Sequence, residues 1–469
     1  MNKRQLIGVI LAIASFLPVL TSSHIRNLSP EGQRCLALFV MVFFLYAFEV
    51  MSAAVISLAI APLLVLMGIT NIKGALSGFS ASSTYLIVGA FILTGAMVKS
   101  RAGDRITYLI LKLVGTRARN ISFGIMCVSI LLAFMIPSST ARTAMMLPIC
   151  LKIIEQYQGD GTKKSRFGAN IMMTLCFSNS AISAGILTST ITNPMAVEYI
   201  ARVTGQTVTY RQWILWGGLP AFLCTLLGWG MIQLIFKPEK SDMEDGAAYV
   251  QEKLKEMGAV SVDEIKVLAV LAVAVALWFS GDRISLDSTT VCLICGCALC
   301  VPKLGYLTWE DCQKNISLNV LFVVSGGISL GAAMDETGTG MWLAENIFRV
   351  FGLEHLSAGV IIIATIVIVQ FMHVFFAGTA TMANVFFPVI TGIAAVAHIS
   401  PVILVMVTAF MIGGYPILMF FNTTPNILCY DTGQLSAGDF VRFGVLLSVG
   451  VCMVYAVCMK CYWPAVGMI

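Results

Sequence analysis

The chain has 469 residues, of which 58% are hydrophobic and 11% charged, with a formal net charge of +5. Soluble domains are about a quarter charged, so this chain has too little polar surface for water, and its solvent is lipid. The positive excess forms no basic stripe and accompanies no nucleic-acid motif, which excludes a nucleic-acid partner and reads as loop charge on one side of a membrane.

Lys3 and Arg4 precede the first apolar run, 6–20. No small-residue cleavage site follows it and many spans come after, so it reads as a first transmembrane helix and not as a removable signal. Similar runs recur at 34–49, 53–67, 84–98, 167–188, 213–236, 265–279, 289–301, 318–334, 402–421 and 440–463. A hydrocarbon core of about 30 Å takes roughly 17–25 apolar residues per helix. The runs therefore predict an all-α integral membrane fold of about 11 transmembrane helices. Trp213, Trp216, Trp278, Trp309 and Trp463 stand near span ends, where an interfacial belt is expected.

Two further apolar blocks, 121–153 and 358–397, are broken in the middle, by Ser138-Ser139-Thr140 and by Ala377-Gly378-Thr379. A block interrupted in this way reads as a re-entrant hairpin, whose non-helical tip must be buried in protein or line a cavity. Cys292, Cys295, Cys297 and Cys300 have a metal-site spacing, but they fall in a membrane helix that points them around its axis. They read as small packing residues with reduced thiols.

The segment 237–264 is long and polar, and it splits the chain into halves that resemble each other. Gly89 and Gly326 stand 237 positions apart, and so do Leu93 and Leu330, Ala96 and Ala333, Met97 and Met334, Gly103 and Gly340, and Gly115 and Gly352. The broken blocks follow near the same offset (Thr140 and Thr379), and then Asn193 and Asn426, each beside a proline in an apolar span. Repeats with helix breaks at matching positions point to a transporter binding site. The expected organisation is scaffold helices over 1–83, then a first repeat over 84–236 with its hairpin at 121–153 and a broken helix at 167–200. An inter-repeat loop at 237–264 and scaffold helices at 265–317 follow, and a second repeat fills 318–469, with its hairpin at 358–397 and broken helix at 402–430.

Loop charge says that the repeats are inverted. The first arm carries Lys99, Arg101, Arg105, Lys112, Arg117 and Arg119, whereas the second has Arg349 with Asp335, Glu336, Glu345 and Glu354. Lys and Arg collect inside, and Lys152, Lys163, Lys164 and Arg166 put the base of the first hairpin there too. The N-terminus and the long loop are then cytoplasmic, the second hairpin enters from outside and the C-terminus is external. Tips entering from opposite sides meet the broken helices near the midplane. Their free N–H groups and helix N-termini favour anions, and unwound carbonyls favour cations.

The run Pro137-Ser138-Ser139-Thr140-Ala141-Arg142-Thr143-Ala144-Met145-Met146-Leu147-Pro148 resembles the Ser-Asn-Thr hairpin-tip motif of the divalent anion/sodium symporter (DASS) superfamily. Phe376-Ala377-Gly378-Thr379-Ala380-Thr381-Met382-Ala383-Asn384 resembles its second-repeat counterpart. Thr423-Thr424-Pro425-Asn426-Ile427-Leu428 is similar to the family's Thr-Pro-Pro-Asn break, and Thr192-Asn193-Pro194-Met195-Ala196 to the variant of the exchanger branch. The resemblance covers roughly Thr84 to the C-terminus. It implies a homodimer of two-part protomers in the inner membrane, each with a scaffold and a transport domain that moves as an elevator. It implies a secondary carrier of di- or tricarboxylates, by exchange or by sodium symport, with sodium as a coupling ion and no cofactor.

Carried over by position, the substrate-binding residues are Ser138, Ser139, Thr140, Ala377, Gly378, Thr379, Thr192, Asn193, Thr424, Pro425 and Asn426, with sodium at Ser138, Ser139 and Asn193. The sequence departs from the pattern at both tip asparagines, replaced by Ser139 and Gly378. Arg142 and His373 match positions at which exchangers carry Arg and His, and are expected to supply the positive charge that sodium supplies elsewhere, Arg142 by pairing with a carboxylate. Another divalent anion such as sulfate is an alternative substrate. A membrane enzyme is disfavoured, since there is no HExxH and no cluster of His or Asp within the spans.

Overall fold

The computed structural model describes residues 3–22, 25–115, 117–158, 164–241, 246–284, 286–303, 305–352 and 355–469. Lys163 and Glu354, counted above among the loop charges, lie outside the described residues. The described secondary structure is helical.

Among the described residues, eight helices are long and apolar enough to cross a membrane: Lys3–Thr21, Ser82–Ser100, Ala118–Met135, Tyr210–Ile235, Leu318–Glu336, Ala358–Phe375, Thr379–Val396 and Ala437–Tyr462. Ala53–Leu66, Ser288–Ala298 and Pro401–Gly414 are shorter and equally apolar. Large side chains such as Leu66, Leu113 and Leu234 are left more than 80% exposed, as expected where lipid covers the outer face of the helices. The ordinary helix starts are capped: Ser29 accepts from Gly32 N ahead of Pro30, and Thr209 and Ser436 form capping boxes with Gln212 and Asp439.

The element lengths recur along the chain. Ser82–Ser100 and Leu318–Glu336 have 19 residues each, and each turns through one left-handed residue, Arg101 or Gly338, into a 13-residue helix, Ala102–Val114 or Thr339–Phe351. Those helices end at Gly115 and Gly352, both with positive φ. Where backbones approach closely the side chain is missing, as at Gly326, where an added Cβ would stand 2.3 Å from the Ser57 carbonyl oxygen.

Several expectations change in detail. The run 167–188 is not one helix: Arg166–Ala181 stops, two tight turns follow, and Thr192–Thr204 resumes. The break lies before Asn193, because Pro194 fits the first turn of a new helix, where no N–H is needed. The polar segment 237–264 carries its own helix, Gly246–Glu256, and is tied down by Arg105. The Arg105 Nε lies 2.6 Å from Glu264 Oε1, and its other nitrogens donate to the carbonyls of Met257, Gly258 and Ala259.

The tryptophan belt is corrected. Trp213, Trp463, Trp278 and Trp216 are buried, and each indole N–H is spent on a backbone carbonyl, of Ala184, Trp216, Ser288 and Val466 in turn. Trp309 alone of the five is exposed. Cys292 and Cys295 are buried while Cys297 faces outward, as a helix distributes them. Gly327-Ile328-Ser329-Leu330-Gly331 spells the GxSxG pattern of serine nucleophiles. It lies mid-helix, with Ser329 buried and its hydroxyl accepting from Gly78 N, and not on the strand-to-helix turn that such a nucleophile needs.

Candidate substrate site

Helix Ala118–Met135 stops before Pro137, which has no N–H and prevents its continuation. The chain is extended at Ile136, and a new helix, Ser139–Gln158, begins at the tip. The Ser138 hydroxyl accepts from Ala141 N at 3.2 Å, which occupies one of the four free N–H groups of that helix start. The second tip is built alike: Phe376 is extended and Thr379–Val396 begins after Gly378, with no side-chain cap. Thr381 turns its hydroxyl back to donate to the Gly378 carbonyl at 2.8 Å.

Both tips line one cavity of about 390 Å³. Ser138, Ser139 and Thr140 contribute from the first tip, Ala377, Gly378 and Thr379 from the second, and Thr424 from the second break. Ser52, Thr188, Thr190, Asn319, Thr381 and Thr423 also line it, and were not singled out from the sequence. No charged side chain lies among the lining residues. The helices starting at Ser139, Thr192, Thr379 and Thr424 all begin at its wall. A helix start carries a partial positive charge of roughly half an elementary charge, so the free N–H groups of this wall favour an anion. A second cavity of about 280 Å³ shares Ser52, Ala53, Ala377, Gly378 and Thr381 with it and leads to Glu49.

The remaining candidates stand behind this wall. Asn193 is fully buried, and its Nδ2 donates to the carbonyls of Ser183 at 2.8 Å and Ile186 at 2.9 Å. Asn426 does the same to Pro416 at 2.6 Å and Met419 at 3.2 Å. In both cases the acceptors lie 10 and 7 residues upstream. Each asparagine thus satisfies the carbonyls of its own break. Thr192 and Pro425 are buried beside them.

Arg142 is fully buried and does not line the cavity. Its guanidinium donates to the Ile136 carbonyl of the tip, to Asn179 O at 2.8 Å, Asn179 Oδ1 at 3.3 Å and Ser183 Oγ at 2.5 Å. It therefore fastens the first tip to the first break. His373 is equally buried, its ring nitrogens 3.0 Å from the Gln370 carbonyl and 3.2 Å from the Ile412 carbonyl. Asn422 joins the second tip to the second break by donating to the carbonyls of His373 at 2.6 Å and Phe376 at 3.0 Å. Asn179, Ser183 and Asn422 were missed in the sequence. The signal for the first two was present, as the polar triplet Ser178-Asn179-Ser180 inside an apolar run.

Comparison with known proteins adds to this geometry. The chain is 25% identical to the citrate/succinate antiporter of Escherichia coli, over 85% of this chain and 81% of that one. It is 25% identical to the sodium-dependent dicarboxylate transporter SdcS of Staphylococcus saprophyticus, over 96% and 90%. Its fold is similar to that of the efflux pump MtrF of Neisseria gonorrhoeae, with a TM-score of 0.59 at 11% identity over 97% of this chain and 94% of that one. These relatives are transporters and not enzymes. The family profile described as the sodium:sulfate symporter transmembrane region matches residues 3–469, and the chain belongs to that family of membrane transporters.

Proposed function

We propose that the chain is a secondary active carrier of di- and tricarboxylate anions, of the succinate, malate, 2-oxoglutarate and citrate class, working by exchange across the cytoplasmic membrane. One observation carries this: a small cavity, free of charged side chains, is walled by hydroxyls and by converging helix N-termini. Such a wall recognises a small multivalent anion by N–H and O–H donation and dipole charge. One carboxylate is received at Ser139 and Thr140, and the other at Thr379, Thr381 and Thr424.

The paired element lengths, and the two asparagines that bond at the same spacing, support two inverted repeats. Arg142 and Asn422 each bind a tip to a break, so tips and breaks travel together as the transport domain of an elevator. The remaining helices form the scaffold of a homodimer, with the N-terminus inside and the C-terminus outside. Arg142 holds a fixed positive charge on the Ile136, Asn179 and Ser183 oxygens behind the first tip, in place of a sodium ion near Ser138, Ser139 and Asn193. Exchange without sodium follows from that substitution.

Sodium-coupled symport is the second reading, and one feature favours it. The Asn426 Oδ1 and Gln370 Oε1 atoms are buried with no hydrogen-bond partner, and hard cations take such oxygens. Thermal unfolding of the purified protein separates the readings. Succinate or citrate is expected to raise the midpoint by several degrees, since saturation at about a hundredfold over Kd adds roughly 2.7 kcal/mol, and to do so in potassium as well as in sodium. A shift that needs sodium selects symport. An equal shift with sulfate, and none with carboxylates, overturns the carboxylate assignment.

A further inference from the structure

The polar end of helix Tyr210–Ile235 carries a feature that substrate transport does not use. An open groove of about 950 Å³ lies there, between this helix and the start of Ala118–Met135. Its floor is apolar, formed by Leu226, Leu227, Met231 and Leu234 around Gly230. A Cβ added at Gly230 would meet nothing within 4 Å, so the groove has free depth. Leu234 is 83% exposed within it.

The rim is basic: Arg117, Arg119, Lys237 and Lys240 line it, and among the described residues no acidic one does. Glu239, the acidic residue between the two lysines, is turned away to accept from the N–H groups of Arg166 and Phe167. Arg119 is held over the Trp229 ring, 5.3 Å from its centroid. Trp229 in turn donates to Ser122 at 3.2 Å. The basic rim is therefore anchored to the helix pair that forms the groove.

We propose that this groove binds an anionic phospholipid, with the phosphate on the basic rim and an acyl chain along the leucines and over Gly230. The charge selects an anion, and the apolar floor selects one that carries a hydrocarbon chain. Basic pockets between membrane helices bind such headgroups, and each nearby Lys or Arg is worth about 1 kcal/mol. A free phosphate would use the rim and leave the floor empty. The proposal depends on the membrane-embedded fold alone, and not on the substrate.

The test is native mass spectrometry of the full-length protein in detergent, titrated with phosphatidylglycerol, with phosphatidylcholine of the same chains, and with inorganic phosphate as competitor. Phosphatidylglycerol is expected to be retained about tenfold more strongly than phosphatidylcholine. The variant K237Q/K240Q is expected to abolish that preference. The variant G230W, which fills open space, is expected to reduce phosphatidylglycerol retention at least tenfold with an unchanged unfolding midpoint in lipid-free detergent. Equal retention of the two lipids by the native chain overturns the proposal. So does native-like phosphatidylglycerol retention by G230W, or displacement by equimolar inorganic phosphate.

Discussion

Arg142 shows how one side chain divides the work of a binding site. Its charge is placed behind the substrate cavity, and its four hydrogen bonds go to the Ile136 carbonyl, to Asn179 twice and to Ser183. It is a positioning residue, and not one that grips a carboxylate in a fork. Removing it leaves those acceptors unpaired, and each buried unsatisfied group costs roughly 1–3 kcal/mol. Arg142→Ala is expected to lower stability on the order of 3 kcal/mol and to abolish sodium-independent exchange. Melting in detergent and uptake in vesicles read the two effects separately. Full exchange activity in a stable R142A protein would contradict that positioning role. That Arg142 is functional was legible in the sequence, because a charge in an apolar hairpin is costly. Its direction was not, because Asn179 lies 37 positions away and only the fold brings it near.

Among the elements, the tips and breaks were the most legible. Small polar residues interrupting apolar blocks located both tips to within a residue of where Ser139–Gln158 and Thr379–Val396 begin. The breaks were placed by Asn-Pro and Pro-Asn pairs, which mark the restart of a helix and leave its stop unmarked. The helix Gly246–Glu256 was hidden by its charge: its Glu and Lys residues read as a polar loop, although Tyr249, Val250, Leu254 and Met257 recur at helical spacing. Its anchor makes a prediction. Burial alone would raise the Glu264 carboxyl, but the bonds from Arg105 and Ser261 outweigh it and hold the group below its ordinary value. A carboxylate with a depressed folded value contributes stability above its unfolded value of about 4.3, and loses that contribution as pH falls through the folded value. Glu264→Gln is expected to cost on the order of 2–3 kcal/mol at neutral pH. It should also flatten the loss of melting temperature between neutral pH and about pH 3. Parallel curves for the two proteins would show that the Arg105–Glu264 clamp contributes nothing to this pH dependence.

For the molecule as a whole, composition pointed to lipid as the solvent, and the recurrence of Gly89 at Gly326 and of Gly103 at Gly340 is what the proposal of two repeats rests on. Residues 3–469 match one family of membrane transporters. The tryptophans misled, because in this chain the indole N–H groups of Trp213 and Trp463 close carbonyls inside the fold and do not mark its edge. A cavity with no charged lining, backed by a fixed guanidinium, is proposed to exchange small carboxylates. The decisive measurement is uptake of radiolabelled succinate into proteoliposomes, with and without dicarboxylate inside and sodium outside. Uptake is expected to require internal dicarboxylate and to be the same in sodium and potassium. Uptake into empty vesicles driven by a sodium gradient would contradict exchange, and no uptake of succinate, malate, 2-oxoglutarate or citrate under either condition would contradict the carboxylate assignment itself.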